Sequence, residues 1–372
     1  VVLKIGPLAV EPAVVLAPMA GVTNAAFRRL CRSYGAGLYV SEMISARALV
    51  EGHRATRQMV RFDDDEPVRS VQLYGVDPIV VGAAVRRVVE EVGVHHIDLN
   101  MGCPSPKVTR RGGGAALPVH QNLLSAILRS AVRAAGAVPV TVKMRKGVDD
   151  SALTYLESGL RAQDEGVAAV ALHARTAEQL YSGRADWAAI ARLKETVTDV
   201  PVLGNGDIWD PADALEMMRK TGCDGVVVGR GCLGKPWLFR DLSDAFAGRP
   251  VEAPPLLGTV IQVMRRHARL LVSAKGDEHY GVRDFRKHVG WYLTGYPVGP
   301  EKRRTLAMAG SLAELDGLLD ELDPATTLPT GSERLPRGHS QGPRPVSLPD
   351  RWLATAEDLT PPEGADVLTS GG

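Results

Sequence analysis

The chain has 372 residues, 45% of them apolar, enough to bury the cores of one large domain and a smaller one. Its 44 basic and 43 acidic side chains nearly cancel, so global charge argues neither for nor against a nucleic-acid partner, and any RNA surface must be a local patch. Four scattered cysteines form no C-x-x-C pair, so neither a disulfide framework nor a zinc site is suggested, and no apolar run approaches the roughly 20 residues that span a bilayer.

In chain order, short β-branched runs alternate with helical patterns. The runs are Val14–Leu16, Leu38–Val40, Val68–Leu73, Ile97–Leu99, Val138–Val142, Ala169–Leu172, Val200–Leu203 and Gly225–Val228. Pro78–Val92 and Gln121–Ala135 show the 3.6-residue apolar period of helices between them. Uniformly apolar strands separated by helices predict a parallel sheet covered on its outer side, and eight such units predict an α/β fold of the (β/α)8 TIM barrel type over residues 1–245. Helical periodicity then returns in Leu256–Val272, Tyr280–Leu293 and Leu312–Leu322, predicting a small helical domain over 250–325. From 326 to 372, 13 of 47 residues are Pro or Gly and Trp352 is the sole aromatic, a composition that predicts a disordered C-terminal tail.

The strand ends carry the chemistry. In order they deliver Pro18-Met19-Ala20, Ser41-Glu42, Gln72, Asn100-Met101-Gly102-Cys103, Lys143-Met144-Arg145, His173-Ala174-Arg175, Asn205-Gly206-Asp207 and Gly229-Arg230. In a barrel those ends share one face, the active-site face. The last two groups sit where barrels commonly hold a phosphate, with glycines admitting backbone N–H groups and Arg230 adding a charge. Lys143 suits either a cation beside a flavin or a Schiff-base lysine. His173 is placed to donate a hydrogen bond to a cofactor or substrate, whereas His95 and His96 precede their strand and read as structural. Cys103 has no adjacent activating partner; a thiol of pKa roughly 8.5 stays protonated at neutral pH and suits a general acid.

The motifs Ala17-Pro18-Met19-Ala20-Gly21-Val22-Thr23-Asn24, Asp98-Leu99-Asn100-Met101-Gly102-Cys103-Pro104, His173-Ala174-Arg175-Thr176, Asn205-Gly206-Asp207-Ile208 and Arg286-Lys287-His288 together resemble the tRNA-dihydrouridine synthases, among them the bacterial B-type enzymes, from about Leu16 to Leu322. The resemblance implies an FMN cofactor held by Pro18, Met19, Ala20, Gln72, Lys143 and His173 along the ring and by Asn205, Gly206, Asp207, Gly229 and Arg230 at the phosphate. It implies Cys103 as the acid that completes reduction of a uracil 5,6 double bond, with NADPH, or less favourably NADH, recharging the flavin. Asn100, Arg145, Arg175, Arg286, Lys287 and His288 are the expected substrate contacts. The expected partner is tRNA, in a cytoplasmic, metal-free monomer.

Across residues 262–304, 10 Lys and Arg stand against 4 Asp and Glu, the local basic excess that phosphate tracking requires. Two segments depart from the family pattern: the run Gly112-Gly113-Gly114 after Cys103, expected to make that loop mobile, and the tail. Two alternatives stand beside the tRNA reading at this point: a flavin barrel acting on a small pyrimidine or enone, and a non-catalytic RNA-binding protein on a barrel scaffold.

Overall fold

The structure is a computed structural model that describes residues 2–35, 37–338, 342–362 and 365. Its centre is a closed barrel of eight parallel strands. A short antiparallel hairpin, β1 (Leu3–Ile5) and β2 (Leu8–Val10), precedes it. The barrel strands are β3 (Val14–Leu16), β4 (Leu38–Ser45), β5 (Ser70–Tyr74), β6 (His96–Met101), β7 (Val140–Arg145), β8 (Ala169–His173), β9 (Val202–Asn205) and β10 (Gly225–Val228). They pair in chain order, and β10 closes on β3 through Val226 opposite Val14. All eight coincide with runs expected from the sequence, differing by a few residues at their ends.

Alternation along the strands separates two environments. On β7, Val140, Val142 and Met144 join the apolar layer between sheet and helices. Their neighbours Thr141, Lys143 and Arg145 point into the barrel, as the two-residue period demands. The hairpin was not foreseen. Its Leu3, Ile5 and Val10 pack against Val15, Leu38, Ala169, Leu203 and Val227, closing the end of the barrel away from the site.

After the barrel, helices Leu257–Lys275, Glu278–Tyr292, Pro300–Leu306 and Leu312–Asp320 bury a second apolar cluster. The cluster also takes in Ala26 and Leu30 from the barrel helix Ala25–Arg32, which directly follows the β3 loop. Phe27 of that helix lies against the rings of His267 and His288 at 5.6 and 6.0 Å.

The described part of the tail departs from the disorder its composition predicts. Trp352 is 4% exposed and its Nε1 donates to Ala116 O at 2.9 Å. The indole is one anchor among several: Arg334 pairs with Asp210 and Asp213, Arg337 is 3% exposed, and Leu348 packs against the main apolar cluster. Residues 339–341, 363, 364 and 366–372, for which disorder is also expected, lie outside the described residues. The three-glycine loop is likewise packed rather than open, with Gly112, Gly113 and Gly114 all buried.

Candidate active site

Three strands build a polar chain that runs from the barrel interior to Cys103. Asp98 on β6 accepts from Thr141 Oγ1 on β7 at 2.6 Å and from Gln72 Nε2 on β5 at 2.7 Å. Gln72 Oε1 then accepts from Asn100 Nδ2 at 2.8 Å, and Asn100 Oδ1 accepts the backbone N–H groups of Gly102 at 3.1 Å and Cys103 at 2.9 Å. Burial raises the Asp98 carboxyl to about 6, although the Thr141 and Gln72 donors pull against it. Deeper still, His96 bridges Ser70 Oγ and Thr141 Oγ1 at 2.7 and 2.9 Å, and burial lowers its pKa to about 3. It is a neutral structural imidazole, as its position before the strand suggested.

Cys103 is half-buried, whereas Cys31, Cys223 and Cys232 are buried. Burial pushes the Cys103 thiol up, opposed by the Ser105 backbone and by the charge of Arg145. No histidine hydrogen-bonds it among the described residues. The thiol is therefore held in its protonated form, the opposite of what a nucleophile needs.

Beside it lies a cavity of about 80 Å³ at the mouth of the barrel, lined by Pro18, Met19, Lys143, His173, Arg175, Asn205, Gly206, Asp207, Gly229 and Arg230. Lys143 Nζ donates to Asn205 Oδ1 at 3.0 Å, and Asn205 Nδ2 donates to Val227 O at 2.7 Å. Burial, then the neighbouring Arg145, lower the Lys143 pKa to about 8. Burial and the surrounding cations Arg145, Lys143, Arg175 and Arg230 hold His173 well below the usual imidazole range, so it is neutral. Gly206 permits the close packing here: a Cβ would sit 2.6 Å from that of Ala185.

Arg175 is 1% exposed and organises the rim. Its Nε and Nη2 donate to Ser182 O and Gly183 O at 3.0 and 2.8 Å, and Nη2 also meets both Asp207 carboxylate oxygens at 2.8 and 2.9 Å. Its Nη1 is buried without a hydrogen-bond partner. A buried guanidinium N–H left unpaired costs free energy unless an acceptor arrives. The phosphate-type strand ends Asn205-Gly206-Asp207 and Gly229-Arg230-Gly231 surround the same cavity. That donor set fits an anionic group such as a phosphate.

Other expected contacts take different roles. The Asp207 carboxylate also accepts from Ala185 N at 2.7 Å, so its side chain braces Arg175 and a rim loop rather than facing an anion. Arg145 donates to Gly102 O at 2.9 Å and to Thr176 O and Leu180 O at 2.8 Å, tying the Cys103 turn to the loop after β8. Ala20 is exposed beside the cavity, and Gln72 lies behind it, fully buried.

The helical trio divides. Lys287 is exposed and pairs with Asp284. Arg286 is half-buried and donates to Ala309 O at 2.9 Å. His288, expected at the substrate, is 0% exposed and packs 4.4 Å from the ring of His267, so it does not touch an RNA. The helical period explains the correction: Val282, Phe285, His288, Val289 and Tyr292 form the inward stripe of Glu278–Tyr292. Part of the basic excess is also internally paired, as Arg265 and Arg269 are with Asp316.

Residues to which the sequence reading gave no role of their own include Asp98, Thr141, Glu42 and Tyr181. Glu42 Oε2 accepts from Gly21 N at 2.6 Å, fixing the loop after β3, and burial raises its carboxyl. Tyr181 lies beneath the guanidinium of Arg230 at 4.4 Å. Strand parity was the available signal for Asp98, two residues before Asn100 on the inward face of β6.

Among the described residues, no helix is long and apolar enough to cross a membrane, and no group of three or more His, Cys, Asp or Glu is placed to hold a metal ion. Residues 15–327 match the family described as dihydrouridine synthase (Dus). A probable tRNA-dihydrouridine synthase of Mycobacterium tuberculosis (strain ATCC 25618 / H37Rv) is 54% identical over 379 residues, covering 100% of this chain and 97% of the relative. tRNA-dihydrouridine synthase B of Pseudomonas aeruginosa is 40% identical over 303 residues, covering 81% of this chain and 90% of the relative. Among solved structures, a 2-naphthoyl-CoA reductase complex shares the fold with a TM-score of 0.51 at 12% identity, covering 67% of this chain and 52% of that one.

Proposed function

The chain belongs to the dihydrouridine synthase family, and we propose that it reduces the 5,6 double bond of specific uridines in tRNA, using FMN and NADPH, with Cys103 as the proton donor. The observation that carries this reading is the Cys103 turn: a half-buried thiol kept protonated, its backbone N–H fixed by Asn100, at the same barrel mouth as a cavity built for an anion.

The unpartnered Arg175 Nη1 fits the phosphate of FMN, together with Arg230 and the backbone of Asn205-Gly206 and Gly229-Arg230. Lys143 and His173, with Pro18 and Met19, face the space for the ring. When bound, the flavin supplies the hydride that reaches C6 of uracil, and NADPH is the source that replenishes it. The protein's own residues do the rest. Lys143, an ammonium softened by burial, neutralises negative charge at the polar edge of the ring. Cys103 gives its proton to C5, and the thiolate left behind is reprotonated from solvent at the open mouth. In balance, NADPH, a proton and uridine give NADP+ and dihydrouridine. Arg145 holds the Cys103 turn in place during the transfer through Gly102 O.

Uracil must leave its stack to reach this site, at a cost of a few kcal/mol that RNA contacts offset. Lys287 and the exposed Arg266, Arg283 and Arg304 on the helical region are the basic groups available for phosphates. These contacts distinguish a tRNA substrate from a free pyrimidine. The test is nucleoside mass spectrometry of tRNA from a strain lacking the protein: loss of dihydrouridine at defined positions is expected, and unchanged dihydrouridine at every position refutes the reading. The purified protein is expected to be yellow, and Cys103→Ala to retain flavin and tRNA while losing most turnover.

A further inference from the structure

The Gly112–Gly114 loop and the tail touch one another. The Trp352 indole stacks on His120 with ring centroids 3.6 Å apart, and its Nε1 donates to Ala116 O at 2.9 Å. The His120 ring nitrogens lie 2.9 and 3.1 Å from the carbonyl oxygens of Trp352 and Asp358. Gly112 has a φ of +73°, and a Cβ there would lie 2.7 Å from the Trp352 ring and 2.8 Å from Pro362. On the other side of the same loop, Ala115 N donates to Cys103 O at 3.0 Å, and a Cβ on Gly114 would lie 2.5 Å from that oxygen. One short packed path thus joins Trp352 to the backbone of Cys103. The tail reaches a second rim loop through Arg344 N, which donates to Glu178 O at 2.9 Å.

A loop with three consecutive glycines has a large conformational entropy to lose, so its native shape depends on contacts from outside it. Here the outside contact comes from a segment beyond the matched family region, which ends at residue 327. We propose that the tail around Trp352 is a strap that holds the Gly112–Ala116 loop against Cys103, making Trp352 a positioning residue for proton delivery. The proposal rests on the assignment of Cys103 as the acid. Proton transfer to carbon is sensitive to placement, and a displacement of about 1 Å costs on the order of a hundredfold in rate.

The test uses the full chain with Trp352→Ala and Trp352→Phe, after circular dichroism has established that each folds. Two quantities are read: the iodoacetamide alkylation rate of Cys103, with the three buried cysteines as internal controls, and kcat and KM of flavin-loaded enzyme on unmodified tRNA. Trp352→Ala is expected to alkylate about tenfold faster and turn over about tenfold more slowly, with KM within about twofold. Trp352→Phe keeps the stack, loses the bond to Ala116, and is expected to fall between. The strap is overturned by wild-type alkylation and kcat in Trp352→Ala, by a change in alkylation with kcat unmoved, by a fall in kcat with alkylation unmoved, or by a loss confined to KM. Should Trp352→Ala fail to fold, Trp352→Phe decides, with wild-type values in both measurements overturning the proposal. Cys103→Ala separates the two ideas: full turnover there removes the acid itself, whereas loss of turnover there beside unchanged Trp352 variants removes the strap alone.

Discussion

The side-chain carbonyl of Asn100 accepts the backbone N–H of Cys103 at 2.9 Å while its amide nitrogen donates to Gln72 at 2.8 Å. That orientation is imposed from below. Asp98 takes the Gln72 amide nitrogen, so Gln72 presents its oxygen to Asn100, and Asn100 in turn presents its own oxygen to the turn. Asn100→Asp places two acceptors face to face, at a cost of about 1–3 kcal/mol, and adds a negative charge beside the thiol. To the extent that this cost appears in the barrier, turnover is expected to fall between about fivefold and about 150-fold, since each 1.4 kcal/mol is a factor of ten. The alkylation profile of Cys103 is expected to move to higher pH. A profile superimposable on the wild type would show that Asn100 does not govern the turn.

Lys143 has a folded pKa of about 8 against 10.5 in an unfolded chain. Between those values the unfolded state binds more protons, so the flavin-free protein gains stability from this group as pH rises from 8 to 10.5 and gains nothing from it below 8. Lys143→Met is expected to lose that rise in thermal melts run across the window, and to bind FMN more weakly by flavin-fluorescence titration. An unchanged slope between pH 8 and 10 would place the titrating group elsewhere.

Arg175→Lys keeps the charge but gives up the forked contact with Asp207 and the unpartnered Nη1. The variant is expected to fold, to lose about 1–3 kcal/mol of stability by denaturant midpoint, and to release FMN on gel filtration. Retention of flavin at wild-type levels would exclude Arg175 from the phosphate end.

His267 and His288 are buried neutral between the barrel and the helical region, with pKa values pushed down by burial, to about 3 for His267. An unfolded imidazole protonates near 6.5, so acid favours the unfolded state and native stability falls as pH drops below that value. One such histidine costs about 2 kcal/mol between pH 6.5 and 5. His288→Leu is expected to reduce the loss of stability between pH 7 and 5, measured by chemical denaturation at each pH. An equal loss in both proteins would rule out His288 as a source of the acid sensitivity.

The barrel was legible because each strand is a short run rich in apolar residues that ends near a polar group, a pattern written within a few consecutive residues. The cavity residues were legible for the same reason: His173 and Asn205 close their strands, Lys143 lies two residues before the end of β7, and Arg230 two residues after β10. Except for His288, the missed features depend on partners far apart in the chain. The helical period places His288 on the stripe of Val282, Phe285, Val289 and Tyr292, a signal that reading Arg286-Lys287-His288 as one basic trio passes over. The tail has the composition of a disordered segment, but its order comes from partners far off in the chain, among them an indole meeting a glycine 240 residues earlier and Arg344 meeting Glu178. The roles of Arg145, Arg175 and Asp207 as braces also required the loop after β8 to be placed, since their partners are backbone carbonyls and N–H groups that no side-chain pattern reveals.

Phe27 packs against two imidazoles of the helical region, one turn after the loop carrying Met19 and Gly21, and Glu42 fastens that loop to the next strand. The arm proposed to grip RNA and the surface proposed to meet the flavin are therefore set on one rigid bracket. Under the function proposed above, that bracket would act as a gauge: the span between the RNA grip and the Cys103 thiol would be set by the fold, and an RNA would be selected by whether a uridine falls at that span. On this view, altering the seat of Phe27 is a way to shift which position along the RNA is reduced without touching any group that handles the base.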